Sequence, residues 1–186
     1  MKTTTSRREG VEIAFVSHLR RLEADRGAMA ALRRSLDASA AGRARVHRYV
    51  VPFLAENPDQ RTDHAMYLVA GLFGLHPSPG ASDNESLGGA FRRLDKDRER
   101  DGKPKESVER RFTTLLSTDA EDIAYALRQA VTLLKAGDIP VCWDRLLRDI
   151  MFWHRDDGWV QQRWARDFWG DDRPAKDNPE GAHNVS

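Results

Sequence analysis

Ala65-Met66-Tyr67-Leu68-Val69-Ala70-Gly71-Leu72-Phe73-Gly74-Leu75 is apolar on nearly every side of a helical wheel. A helix of that kind belongs at the centre of a bundle, walled by other helices. The next segment, His76-Pro77-Ser78-Pro79-Gly80, cannot continue it, because each proline biases the residue before it away from helical torsions. It is the best boundary in the chain between two helical lobes. Upstream, Ser6 to Glu9 has the Ser-x-x-Glu spacing of a capping box, and Val11, Phe15, Leu19 and Leu22 form an apolar stripe behind it. Asp25 can cap a second helix that turns Met29, Leu32 and Leu36 inward. Val46, Tyr49, Val50 and Phe53 mark a third, bent or ended near Pro52 and closed by Asn57-Pro58.

Downstream, Ser86 begins a helix with Leu87, Phe91 and Leu94 inward, and the mixed-charge run from Asp95 to Lys105 ends in a mobile loop at Gly102 and Pro104. Val108, Phe112 and Leu115 define the next helix. Thr118 to Glu121 repeats the capping-box spacing ahead of Ile123, Leu127, Ala130 and Leu134, and Gly137 and Pro140 stop that helix. Two more carry Trp143, Leu146, Leu147 and Ile150, then Val160, Trp164 and Phe168. The period of 3.6 recurs throughout and no long alternation of period two interrupts it in the first half. The expectation is an all-α, two-lobed bundle of about eight or nine helices without a sheet. The N-terminal lobe should span 9–76 and the C-terminal lobe 86–169, with 1–8 and 170–186 disordered.

The 186 residues, 40% hydrophobic, supply a real core. Thirty Lys and Arg against 29 Asp and Glu leave a net charge of +1, which conceals an asymmetry. Residues 1–50 carry a balance of +6 and residues 167–186 a balance of −3. The folded body is thus more basic than the average, which favours an anionic partner. A lone Cys142, read as a buried apolar thiol, excludes a disulfide framework and a multi-thiolate zinc site. That fits a reducing cytoplasm. With neither a membrane-length apolar run nor a signal-peptide core, the chain is expected to stay inside the cell and out of the bilayer.

Chemistry is hard to find. His18, His47, His64, His76, His154 and His183 have no i, i+4 pairing for a helical zinc motif, and Gly88-Gly89 lacks the Lys-Ser/Thr of a phosphate loop. Asp97, Glu99, Asp101 and Gly102 mimic the opening of a calcium loop, but the twelfth position falls on Val108 and Arg98 and Arg100 would repel a cation. No catalytic residue, metal ligand or cofactor site is assigned. The arginines are better organised. Arg26, Arg33 and Arg34 fall on one side of the second helix; Arg92, Arg93 and Lys96 form a second patch, Arg110 and Arg111 a third, Arg128 and Lys135 a fourth. Arg145 and Arg148 extend the last, although Asp149 can pair with Arg145. Any single patch reads most simply as a solvated face. Four together, with arginine far outnumbering lysine, suit phosphate recognition. The five tryptophans between Trp143 and Trp169 fit core packing better than base stacking.

These features fall in a familiar order: Leu32-Arg33-Arg34, Ala70 to Pro77, Ser86-Leu87-Gly88, Glu109-Arg110-Arg111-Phe112, Leu127 to Val131 with Leu133-Leu134-Lys135, Ile139-Pro140-Val141 with Trp143 and Leu146-Leu147, and Trp164-Ala165 with Phe168. From about Asp25 to Phe168 the sequence resembles the CasB family, the small subunit of the type I-E CRISPR surveillance complex Cascade. The resemblance implies a non-enzymatic, two-lobed helical subunit, paired head-to-tail with a second copy along the belly of the complex beside the backbone and large subunits. It implies contacts that hold guide RNA paired with target DNA and steady the displaced strand. By motif, Arg34, Arg110, Arg111 and Arg128 carry over as backbone-binding residues, with Arg33 and Lys135 beside them. Base pairing reads sequence in such a complex, so distributed, sequence-blind arginines suffice. The competing readings are a free-standing RNA- or DNA-binding protein, a helical scaffold that binds only protein, and a hydrolase, which would need clustered titratable residues in a pocket.

Overall fold

The computed structural model describes residues 3–37, 40–55, 59–77, 84–102 and 106–170, with the side chains of 3–9, 40 and 106 excepted. Within them the chain is all helical, with nine α-helices and no strand: α1 Thr3–Arg21, α2 Arg26–Arg34, α3 Ala40–Val50, α4 Gln60–Leu75, α5 Leu87–Arg100, α6 Glu106–Leu116, α7 Ile123–Ala136, α8 Trp143–Met151 and α9 Trp159–Trp169. Short 3-10 turns, Ser35–Asp37 and Val51–Phe53, extend α2 and α3. The second is the bend expected at Pro52.

The apolar run is the organising helix. Every residue of α4 from Ala65 to Gly74 except Tyr67 is buried, and α2, α3, α7 and α8 all pack on it. Its glycines permit the closest crossing: a Cβ on Gly74 would stand 2.6 Å from the Arg33 backbone nitrogen, so any side chain there would push α2 away. A second nucleus forms where α5 lies against α9 and α6, with Phe112 stacked on Phe168 at 4.4 Å and tilted against Phe91 at 5.1 Å. The two nuclei share one continuous core, because α7 and α8 reach back to α4 and Trp143 meets Phe73 edge-on at 5.7 Å. Fully burying each such large side chain contributes roughly 1.5–3 kcal/mol.

Local signals explain most boundaries. Asp25 caps α2, its carboxylate accepting from Ala28 N at 3.0 Å, and Ser86 caps α5 by accepting from Gly89 N. Gly137 follows the end of α7. Two expected capping boxes do not form. The helix at the N-terminus is already running at Thr3, so Ser6 lies inside it, where it has no open first turn to cap. Thr118 donates back to the Thr114 carbonyl at 2.9 Å, and α7 starts at Ile123 without a side-chain cap. Leu36 and Cys142 are half-buried rather than buried. Asn57-Pro58, most of the Pro-rich connection, the loop after Gly102 and the tail from 171 lie outside the described residues.

Candidate nucleic-acid interface

Helix α4 ends with carbonyls that have no intrahelical donor, and two cations from different elements serve them. Arg33 Nε, at the end of α2, donates to the Gly74 carbonyl at 3.1 Å; Lys135 Nζ, at the end of α7, donates to the adjacent Leu75 carbonyl at 2.9 Å. Positive charge at a helix C-terminus is favoured by the dipole. Both side chains stay exposed, and each uses one donor of several, leaving N–H groups for a second acceptor. Two turns before Lys135, Arg128 reaches the 3-10 turn after α2, at 3.5 Å from both the Leu36 carbonyl and Asp37. Arg128 and Asp37 are 46% and 60% exposed, so water screens the pair and a phosphate can displace it. The fold thereby brings together two patches nearly a hundred residues apart in sequence: Arg33 with Arg128 and Lys135.

Arg34 is about 100° round the helix from Arg33 and faces α3 instead. There it lines a groove of about 360 Å3 together with Gly27, Ala31, Ala44, Arg45 and Arg48. The sequence patch therefore divides: Arg33 belongs to the α4 end and Arg34 to the α2–α3 groove, while Arg26 is exposed at the start of α2. Arg110 and Arg111 are exposed on α6, Arg110 opposite the buried Val108 and Phe112 and Arg111 at the edge of that face, with no side-chain partner among the described residues.

The α5 patch is built into the fold more than it is presented by it. Arg93 donates to Glu85 at 2.6 Å and to the Pro140 carbonyl at 3.2 Å, tying α5 to the segment before α8. Burial raises the Glu85 carboxyl above its ordinary range, and the Arg93 charge opposes that shift. Arg92 is half-buried and Lys96 exposed, and both already interact with neighbours. Arg145 and Arg148 likewise face inward partners, Asp149 and the Asp144 carbonyl.

Sequence reasoning missed Arg45 and Arg48. They sit three apart on α3 and share a face, a spacing that could have been flagged, but only the packing of α3 on α2 shows that this face meets Arg34. The tryptophans divide too: Trp143, Trp153 and Trp164 are buried, whereas Trp159 and Trp169 are 44% and 46% exposed. Tyr125 is 71% exposed on the same side of α7 as Arg128 and Lys135.

A second concavity, about 350 Å3, is lined by Gln60, Arg61, His64, Glu121, Trp153 and His154 among others, and Arg61 Nη1 lies 2.8 Å from His154 Nε2. Among the described residues no group of three or more His, Cys, Asp or Glu is placed to hold a metal ion. Asp97 and Glu99 lie on α5, and Asp97 pairs with Arg100 at 3.3 Å, so this segment is a helix rather than a cation-wrapping loop. No helix among the described residues is long and apolar enough to cross a membrane.

Comparison with known proteins identifies the family and the fold. Residues 28–169 match the family of the CRISPR-associated protein Cse2. The chain is 37% identical over 160 residues to the CRISPR-associated protein Cse2 of Thermus thermophilus, covering 84% of this chain and 88% of that protein. Among solved structures, CasB from Thermus thermophilus superposes with a TM-score of 0.70 at 34% identity, over 86% of this chain and 98% of that one. M. ruber CasB gives the same TM-score and identity over 86% and 92%. A chain of a CRISPR RNA-guided surveillance complex, 22% identical, shares the fold with a TM-score of 0.71 over 87% of this chain and 92% of that one. The chain belongs to the Cse2 (CasB) family of CRISPR-associated proteins.

Proposed function

We propose that this protein is the non-catalytic small subunit of an RNA-guided Cascade complex acting in antiviral defence in the cytoplasm. It holds guide RNA paired with target DNA and steadies the displaced DNA strand, through arginine–phosphate contacts that ignore sequence. Two copies lie head-to-tail beside the backbone and large subunits, each copy divided into the 9–76 and 86–169 lobes. The observation that carries the reading is the exposed cationic surface. Arg33, Arg128 and Lys135 converge at the end of α4, Arg34 faces the α2–α3 groove, and Arg110 and Arg111 project unpaired among the described residues. Arg26 adds charge at the start of α2, whereas Arg93 contributes mainly by tying α5 to Pro140 and Arg92 is half-buried. Guanidinium groups match phosphate oxygens in pairs, which lets them grip a backbone without reading bases.

Phe152 and Trp159, each 44% exposed, meet edge-to-face with ring centroids 6.1 Å apart. Arg163 lies 4.3 Å over the Trp159 ring centre and covers part of this pair. The test is co-purification with the other Cascade subunits and guide RNA, for wild type and for Arg110→Ala with Arg111→Ala. Both should incorporate, and the double variant should hold opened target DNA less well. A wild-type chain that stays outside the complex would refute the assignment.

A further inference from the structure

The family match ends at residue 169, and the sequence that follows, 171–186, is acidic. Asp171, Asp172, Asp177 and Glu180 outnumber Arg173 and Lys176, four carboxylates against two cations, a net charge of −2. The fold fixes where that segment leaves the body. Trp169, the last residue of α9, donates its indole N–H to Glu109 Oε1 at 3.0 Å and packs on the Phe112 ring at 5.5 Å. Glu109 and Phe112 bracket Arg110 and Arg111 on α6, both exposed and without a side-chain partner among the described residues. The neighbouring carboxylates are already taken, Glu109 by that indole and Asp167 by the Ser86 hydroxyl. Gly170 then turns the chain out of the helix. Its N–H donates to the Arg166 carbonyl at 2.7 Å, and a Cβ would stand 2.3 Å from that oxygen. The acidic segment thus begins beside two unpaired guanidiniums.

We propose that residues 171–186 fold back on α6, with Asp171 and Asp172 paired to Arg110 and Arg111, and so compete with phosphate for that patch. The inference rests on the nucleic-acid-binding reading above and adds its regulation. Asp171 and Asp172 follow the C-terminus of α9, where the helix dipole disfavours carboxylates, so they gain by turning to cations elsewhere. They lie within two residues of Gly170, at most about 8 Å of chain, inside a screening length of about 10 Å at 0.1 M salt. A tether this short holds the carboxylates around α6 at an effective concentration on the order of millimolar. Exposed ion pairs are individually weak, so the cover lowers affinity a few fold and does not abolish it. Nucleic acid held at many points in an assembled complex displaces it, whereas stray nucleic acid meeting the isolated subunit is held less well.

The experiment compares the full-length protein with a chain ended after Gly170 and with a full-length variant carrying Asp171→Asn and Asp172→Asn. Phenylglyoxal labelling, read residue by residue by mass spectrometry, reports how open each arginine is with no nucleic acid present. At about 50 mM salt both variants should label Arg110 and Arg111 about threefold faster than wild type, and at about 1 M salt, where screening falls to about 3 Å, the difference should vanish. Arg26, exposed at the start of α2, should label equally in all three chains. Binding to a fluorescent oligothymidylate at low salt should tighten about threefold in both variants, and should not tighten when Arg110→Ala and Arg111→Ala are also present. Equal labelling of Arg110 and Arg111 in all three chains would overturn the fold-back. So would faster labelling in the shortened chain alone, or tighter binding that survives the loss of both arginines. Faster labelling with unchanged oligothymidylate binding would leave the fold-back standing and refute phosphate binding at Arg110 and Arg111.

Discussion

Replacing Asp149 by Ala should remove about 3–5 kcal/mol of stability, the cost of leaving buried charges without their partner. Asp149 is 1% exposed on α8. One carboxylate oxygen accepts from Arg145 Nε at 3.2 Å and from Arg163 Nη2, the other from the indole of the fully buried Trp164 at 2.6 Å. Arg145 and Arg163 are 15% and 21% exposed, so water reaches neither well enough to replace the carboxylate. A pair on the open surface would be worth about 0–1 kcal/mol, and burial of the common acceptor decides which regime applies. The perturbation lies where α9 meets α8, so α9 should loosen first. Urea unfolding of the purified chain measures the effect: at a slope of about 2 kcal/mol/M, the midpoint should fall by about 1.5–2.5 M. Asp149→Asn, which keeps an acceptor for the indole, should fall between wild type and Ala. A loss below about 1 kcal/mol for Asp149→Ala would refute the claim that this carboxylate anchors the two helices.

A Cβ on Gly88 would overlap the Trp164 carbonyl, so Gly88→Ala should cost at least the roughly 1–3 kcal/mol of an overpacked core, seen as a lowered melting temperature. Gly10, exposed on α1 with nothing near its missing side chain, is the control: Gly10→Ala should raise stability by about 0.5–1 kcal/mol. His18 is held below its ordinary pKa, first by burial and then by the Arg21 charge, and Phe53 packs 5.1 Å from its ring. The unfolded chain therefore binds the proton more readily, and stability should rise as pH climbs through the ordinary imidazole range. His18→Gln should flatten that rise in denaturation midpoints taken between about pH 5 and 8, and an unchanged profile would contradict it.

The fold was legible because its strongest signals are local. The wheel of α4, the Asp25 and Ser86 caps and the Gly137 stop each depend on residues within one or two turns. The capping boxes failed where spacing alone left a competing bond open, as when Thr118 turned back to Thr114. The candidate interface was only half legible. Periodicity places Arg33 and Arg34 on one helix but not the Gly74 carbonyl that draws Arg33 away, since that acceptor lies 41 residues on. Nor could it tell the exposed Arg110 and Arg111 from Arg93, whose partners Glu85 and Pro140 come from two other segments. The α2–α3 groove exists only once α3 packs on α2.

The most direct test of the arginine–phosphate account is target-DNA binding by reconstituted complexes across a salt series, with wild-type subunit or with Arg34, Arg110, Arg111 and Arg128 all changed to Ala. If one subunit covers about four phosphates of a single strand, its share of the slope of log affinity against log salt is near −3. The quadruple variant should incorporate, bind every target sequence more weakly and lose most of that slope. Unchanged affinity and slope would show that these arginines are a solvated face, and a scaffold that contacts only protein would take the place of this account.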